Sequence, residues 1–138
     1  MAAVNELIRI ESNDTISFGD YTLDAKAKLD NFEFAGDIYK VKTFREITKL
    51  ERNGLFVYES VPGTAVMNFV ESEDEVDFVV EGPEDAQITL GLAEGSEYEI
   101  TIDGTSAGTM KTNLGGKFSF SVELEDADSV AVKVVKKQ

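Results

Sequence analysis

At 138 residues, with 27 acids against 13 bases and neither cysteine nor histidine, the chain excludes several functions before any motif is read. A net charge of −14 disfavours nucleic acid and anionic membrane surfaces, which need clustered Lys and Arg. Lacking His and Cys, it can supply neither a thiol nucleophile nor an iron–sulfur cluster, nor the usual triad or most zinc sites.

The length implies one domain, or two small ones sharing a core, and a chain of this size buries roughly two thirds of its unfolded surface. The start, MAAVNELIRI, has neither a basic n-region nor an apolar h-region. No apolar run approaches the ~20 residues of a membrane span. With no Cys, these features predict a soluble cytoplasmic protein; a surface-associated protein exported by another route would read the same.

In chain order the pattern is β. Leu7, Ile8 and Ile10 predict a short first strand, Ser12-Asn13-Asp14 a turn, and Thr15–Phe18 the return. Tyr21–Leu29 is ambiguous, because Ala25-Lys26-Ala27-Lys28 has helix propensity but is too short to stand alone. Phe32 and Phe34 alternate with polar residues, and Tyr39, Val41 and Thr43 share a face opposite Lys40 and Lys42.

Thr43–Gly54 has two readings. Thr43-Phe44-Arg45-Glu46 fits a capping box, which would make Thr43–Arg52 a helix. Asn53-Gly54 between apolar runs instead signals a two-residue hairpin, with Arg52 facing Leu55, Glu51 facing Phe56 and Leu50 facing Val57. The hairpin is favoured, since every neighbouring segment reads as strand.

Val61-Pro62-Gly63 predicts a type II turn. Thr64–Val70 and Val76–Val80 follow as strands around the charged turn Glu71–Glu75. The loop Glu81–Asp85 suggests a boundary between an N-terminal β-subdomain, 1–81, and a C-terminal Ig-like β-subdomain, 82–138. Beyond it, the alternations of Ile88 to Leu92, Tyr98 to Ile102, Phe118 to Leu124 and Val130 to Val134 describe half-buried antiparallel strands. Gly115-Gly116-Lys117 reads as a hairpin turn. Lys133, Lys136 and Lys137 suggest a last strand guarding an open edge. About a dozen short strands argue an all-β, antiparallel β-sandwich or partly rolled barrel, with two packed β-subdomains.

Charge is unevenly spread, with 13 acids and no base over residues 53–110. This segment reads as a solvated face or as a docking face for cations or a basic partner. Glu71, Glu73, Asp74, Glu75 and Asp77 form a candidate calcium group without EF-hand spacing. Lys40, Lys42, Arg45, Lys49 and Arg52 lie just before the base-free stretch and suggest head-to-tail association on an acidic face. The candidate contact surface is Lys49, Arg52, Leu55, Phe56 and Tyr58. Paired carboxylates for glycoside hydrolysis arise by chance among so many acids, and Trp platforms for sugar are absent.

ITKLERNGLFVYESVPGTAVMNF, with the preceding DIYKVKTF and the later MKTNLGGKFSFSVEL, resembles a family of small proteins from clostridia-like bacteria. Some members are called endosialidases, yet no catalytic residue carries over to this chain. YEITIDG followed by KFSFSVEL is similar to Ig-like modules appended to surface and polysaccharide-active proteins, which implies a fold rather than a function. The expectation is a non-catalytic binding or assembly protein that acts through sheet edges and an acidic face. Its partner would be a protein, self-association included, and calcium is the one cofactor its acids suggest. The alternative is an accessory carbohydrate-binding module that takes a glycan; a carboxylate-based glycosidase comes third.

Overall fold

The computed structural model describes residues 3–137 and contains no helix among them; no helix is long and apolar enough to cross a membrane. Thirteen strands are present: β1 (Ile8–Ile10), β2 (Ile16–Phe18), β3 (Ala27–Phe34), β4 (Asp37–Phe44), β5 (Ile47–Arg52), β6 (Leu55–Val61), β7 (Ala65–Glu71), β8 (Glu75–Glu81), β9 (Ala86–Gly91), β10 (Glu97–Ile102), β11 (Thr105–Lys111), β12 (Lys117–Val122) and β13 (Val130–Lys136). They form two antiparallel sheets packed face to face and not closed into a barrel. Sheet A runs β1-β2-β7-β8-β13-β10-β11 and sheet B runs β12-β9-β6-β5-β4-β3.

The hairpin reading of Ile47–Gly63 is the one the backbone adopts. Asn53 and Gly54 take φ of 53° and 79°, as a type I′ turn requires. Asn53 also ties the turn to β4: its Oδ1 accepts from the Ile38 amide at 3.0 Å and its Nδ2 donates to Asp37 at 2.9 Å. The helix over Thr43–Arg52 is therefore absent, because Thr43 and Phe44 end β4 and pair with Thr48 and Ile47 of β5. Arg52 faces Leu55 and Glu51 faces Phe56 as expected, but Leu50 faces Tyr58 rather than Val57, because a bulge intervenes. Pro62-Gly63 is not a type II turn: the Val61–Pro62 bond is cis, and Gly63 lacks the positive φ such a turn needs. The chain crosses from sheet B to sheet A there. Gly63 is required, since a Cβ would collide with the Phe44 carbonyl oxygen.

The core lies between the sheets. Phe18, Tyr58, Phe69 and Phe78 interlock across the layers at centroid distances of 5.3 to 5.8 Å. Gly82-Pro83 is a further crossing. The strands after it pair with those before it in both sheets, β13 with β8 and β9 with β6, and one hydrophobic cluster spans both parts. The last strand guards no edge, because β13 lies between β8 and β10. Among the edge strands, β3 and β11 carry bulges, at Asp30-Asn31 and Ala107, that interrupt further pairing.

Beneath the crossing at Gly63 runs a buried row of hydroxyls. Thr43, Thr48 and Ser60 face one another across β4, β5 and β6. Thr43 and Thr48 lie 2.8 Å apart, Thr48 donates to the Thr64 carbonyl at 2.8 Å, and the Thr64 hydroxyl meets both Tyr58 and Ser60 at 2.8 Å. Every one of these buried hydroxyls has a partner, which is what burial of a polar group demands.

Candidate functional site

Because side chains alternate along a strand, the residues singled out in the sequence are divided among several surfaces. Lys49 and Phe56 stand on the outer face of sheet B. The Lys117 ammonium lies 4.3 Å from the Phe56 ring centroid, and the missing Cβ of Gly91 leaves room for that ring. Arg52 turns the other way and reaches across to sheet A, where its Nη1 donates to the Glu71 carboxylate at 2.6 Å. Burial works against the Arg52 charge, but Glu71 and Tyr39 together outweigh it and raise its pKa. Leu55 is 71 % exposed at the hairpin tip, whereas Tyr58 is 0 % exposed and offers no contact surface.

Arg52, Leu55 and Phe56 line a cleft of about 460 Å³ at the hairpin end of the sandwich, together with Glu71, Glu73 and Glu75. The Arg52–Glu71 pair forms a wall that this cleft shares with a neighbouring one of about 550 Å³. Three of the candidate calcium residues, Glu71, Glu73 and Glu75, border this cleft, but the five are turned to different partners. Glu71 is held by Arg52, Glu73 and Asp74 are exposed on the β7–β8 turn, and Glu75 lies 3.6 Å from Lys133 on the outer face of sheet A. Asp77 faces Lys133 across β13. Burial, then the adjacent Glu75, pushes the Asp77 carboxyl up to about 6; Glu75 is lowered by the hydrogen bond with Asp77 and by Lys133. No group of three or more acids among the described residues is arranged to hold a metal ion.

Two surfaces emerge that the linear charge map only half shows. On the outer face of sheet B, Lys28, Lys42 and Lys49 stand directly opposite one another across β3, β4 and β5. Lys40 and Lys26 flank them. Lys42 is held below the ordinary lysine value, first by burial and then by these four neighbours. Of the acids beside the row, Glu51 reaches Lys49 at 3.5 Å and Glu59 is its cross-strand partner. Like charges placed directly opposite each other each cost roughly 0.2–1 kcal/mol. Lys26 and Lys28 lay in the stretch whose sequence read ambiguously, so the row became visible only with the β3–β4 register.

The second surface is acidic. Asp85 accepts from the amides of Leu124 and Glu125 at 2.9 and 3.1 Å, which joins the β8–β9 loop to the β12–β13 loop. Exposed Glu84, Asp85, Glu123, Glu125, Asp126 and Asp128 are thereby gathered at one end of the sandwich. Neither 82–110 nor 118–132 contains a base. The sequence separates these acids by about forty residues, and the joining hydrogen bonds leave no local pattern. No family model matches the chain, and no curated protein or solved structure matches it either.

Proposed function

We propose that the chain is a non-catalytic binding and assembly protein whose acidic end recognises a basic protein partner. The observation that carries this reading is the joining of the β8–β9 and β12–β13 loops through Asp85, which gathers six exposed acids in two loops that hold no base. Such a surface steers a cationic partner from a distance and sets its orientation on contact. The bulges on β3 and β11 disfavour strand addition at two of the four sheet edges.

The carbohydrate-module alternative rests on the cleft at the opposite end. There the Lys117 ammonium covers the Phe56 ring on which a sugar would stack, so the charge-based reading has the better support.

Titration of isotope-labelled protein with a short oligolysine peptide tests the proposal. Amide shifts confined to 82–85 and 123–128, reduced by added salt, are expected. Shifts spread evenly over the surface, or none at millimolar peptide, would contradict it.

A further inference from the structure

The basic partner need not be sought far from this molecule. We propose that the lysine row on β3–β5 docks onto the acidic loop end of a second copy, so that molecules associate head to tail. This rests on the reading of the acidic end as a binding surface, and it names the partner.

Lys28, Lys42 and Lys49 are placed opposite one another on three neighbouring strands, with Lys40 and Lys26 beside them. Glu51 stands opposite Lys40 and reaches Lys49, and Glu59 faces Lys49, so the unrelieved part of the row is Lys28 and Lys42, which face lysine across the strands. A chain with 27 acids has ample means to interleave charges here, as the Glu75–Lys133 contact on the other sheet shows. A repulsive row kept on the outer face of the sheet is therefore suited to an anionic surface that quenches it.

The acidic end of the same chain has the complementary sign and is exposed. The two surfaces do not coincide: one is a sheet face on β3–β5, the other a pair of loops joined at Asp85. A contact between them is heterologous and does not close at two molecules, so it leads to rings or open chains.

Magnitudes decide how tight such a contact is. Three strands about 4.8 Å apart and five residues long present about 15 by 17 Å, well below the roughly 800 Å² per partner of a stable complex. Association should therefore be weak and rise with concentration. Each molecule also carries −14, so overall repulsion opposes the local attraction. Screening over about 10 Å at 0.1 M salt weakens the long-range repulsion more than the close lysine–carboxylate contacts. The tendency to associate is expected to peak near roughly 0.1 M salt and to fall at both extremes.

The test uses the full chain and two neutralised variants. Lys28→Gln with Lys42→Gln disables the row, and Glu84→Gln with Glu125→Gln and Asp126→Asn disables the acidic end. Sedimentation velocity at millimolar protein should show wild type growing in mass with concentration and both variants staying monomeric, with far-ultraviolet circular dichroism confirming that each is folded. An equimolar mixture should give a 1:1 dimer and nothing larger, since each variant retains one working surface.

Wild type that is monomeric at every salt concentration overturns the inference, as does a mixture that stays monomeric or a variant that assembles alone. Oligolysine titration separates the two failures. If wild type is monomeric but the peptide still shifts 82–85 and 123–128, self-recognition fails while the acidic end stands as a binding surface. If neither occurs, both fail.

Discussion

On β4 and β5 two rows run side by side through adjacent residues and obey opposite rules. Thr43 and Thr48 point into the core, and Lys42 and Lys49, their neighbours in sequence, point out. The inner row is polar and wholly buried, and each hydroxyl is satisfied by a neighbouring hydroxyl or by the Thr64 carbonyl. The outer row sets like charges against each other in the same register. A polar row is thus stabilising or destabilising according to whether its members can serve as donor and acceptor for one another. Hydroxyls can, and ammonium groups cannot. The inner row therefore belongs to the fold, and the outer row is free to belong to binding.

The largest effect that would break this contrast comes from the crossing above the hydroxyl row. Gly63→Ala places a Cβ against the Phe44 carbonyl oxygen. A loss of about 3 kcal/mol in urea unfolding is expected, because the clash is with backbone atoms and not with the end of a flexible side chain. Thr64→Val keeps the shape but leaves the Tyr58 and Ser60 hydroxyls without their shared partner. That should cost about 2 kcal/mol, the usual penalty for stranding buried polar groups. A neutral result for Thr64→Val would mean that the buried row is not a stabilising network.

A smaller effect lies on the outer face of sheet A. The Asp77 carboxyl is raised to about 6 from an ordinary value of 3.8. A raised value means that the folded state favours the proton, so this contribution is full below about pH 4 and is lost as pH rises through about 6. The lowered value of Glu75 works in the opposite sense and offsets part of it. The difference in stability between wild type and Asp77→Asn should therefore change by about 1 kcal/mol from pH 4.5 to 7.5, with wild type losing more. Thermal melts across that range check it; parallel curves would show that Asp77 does not hold the extra proton.

Much of the fold was legible in the alternation of residues. Tyr39, Val41 and Thr43 were readable as one buried face, and Asn53-Gly54 as a turn, because both follow from local rules. The capping-box reading of Thr43 failed because the side chain's role is set by Thr48 and the Asp20 amide rather than by its neighbours in sequence. Assigning an edge to Lys133–Lys137 failed for a related reason: pairing order is a non-local property, and β13 enters between strands that precede it by fifty and thirty residues or so. Arg52, Leu55 and Phe56 were rightly placed together at a hairpin, but a two-residue period cannot show that Arg52 crosses to Glu71 while Tyr58 enters the core. The acidic end was least legible. Its two halves are joined by amide hydrogen bonds to Asp85 that any sequence there could supply.

The smallest effect tests the central contrast most directly. Lys42→Gln removes the middle cation of the row and leaves Thr43 and the hydroxyl network untouched. Measured by urea unfolding at micromolar protein and low ionic strength, the variant should be more stable than wild type by about 0.5 kcal/mol, and the gain should vanish in 1 M salt. A variant equally stable or less stable at low salt would contradict the claim that this row is held against its own repulsion.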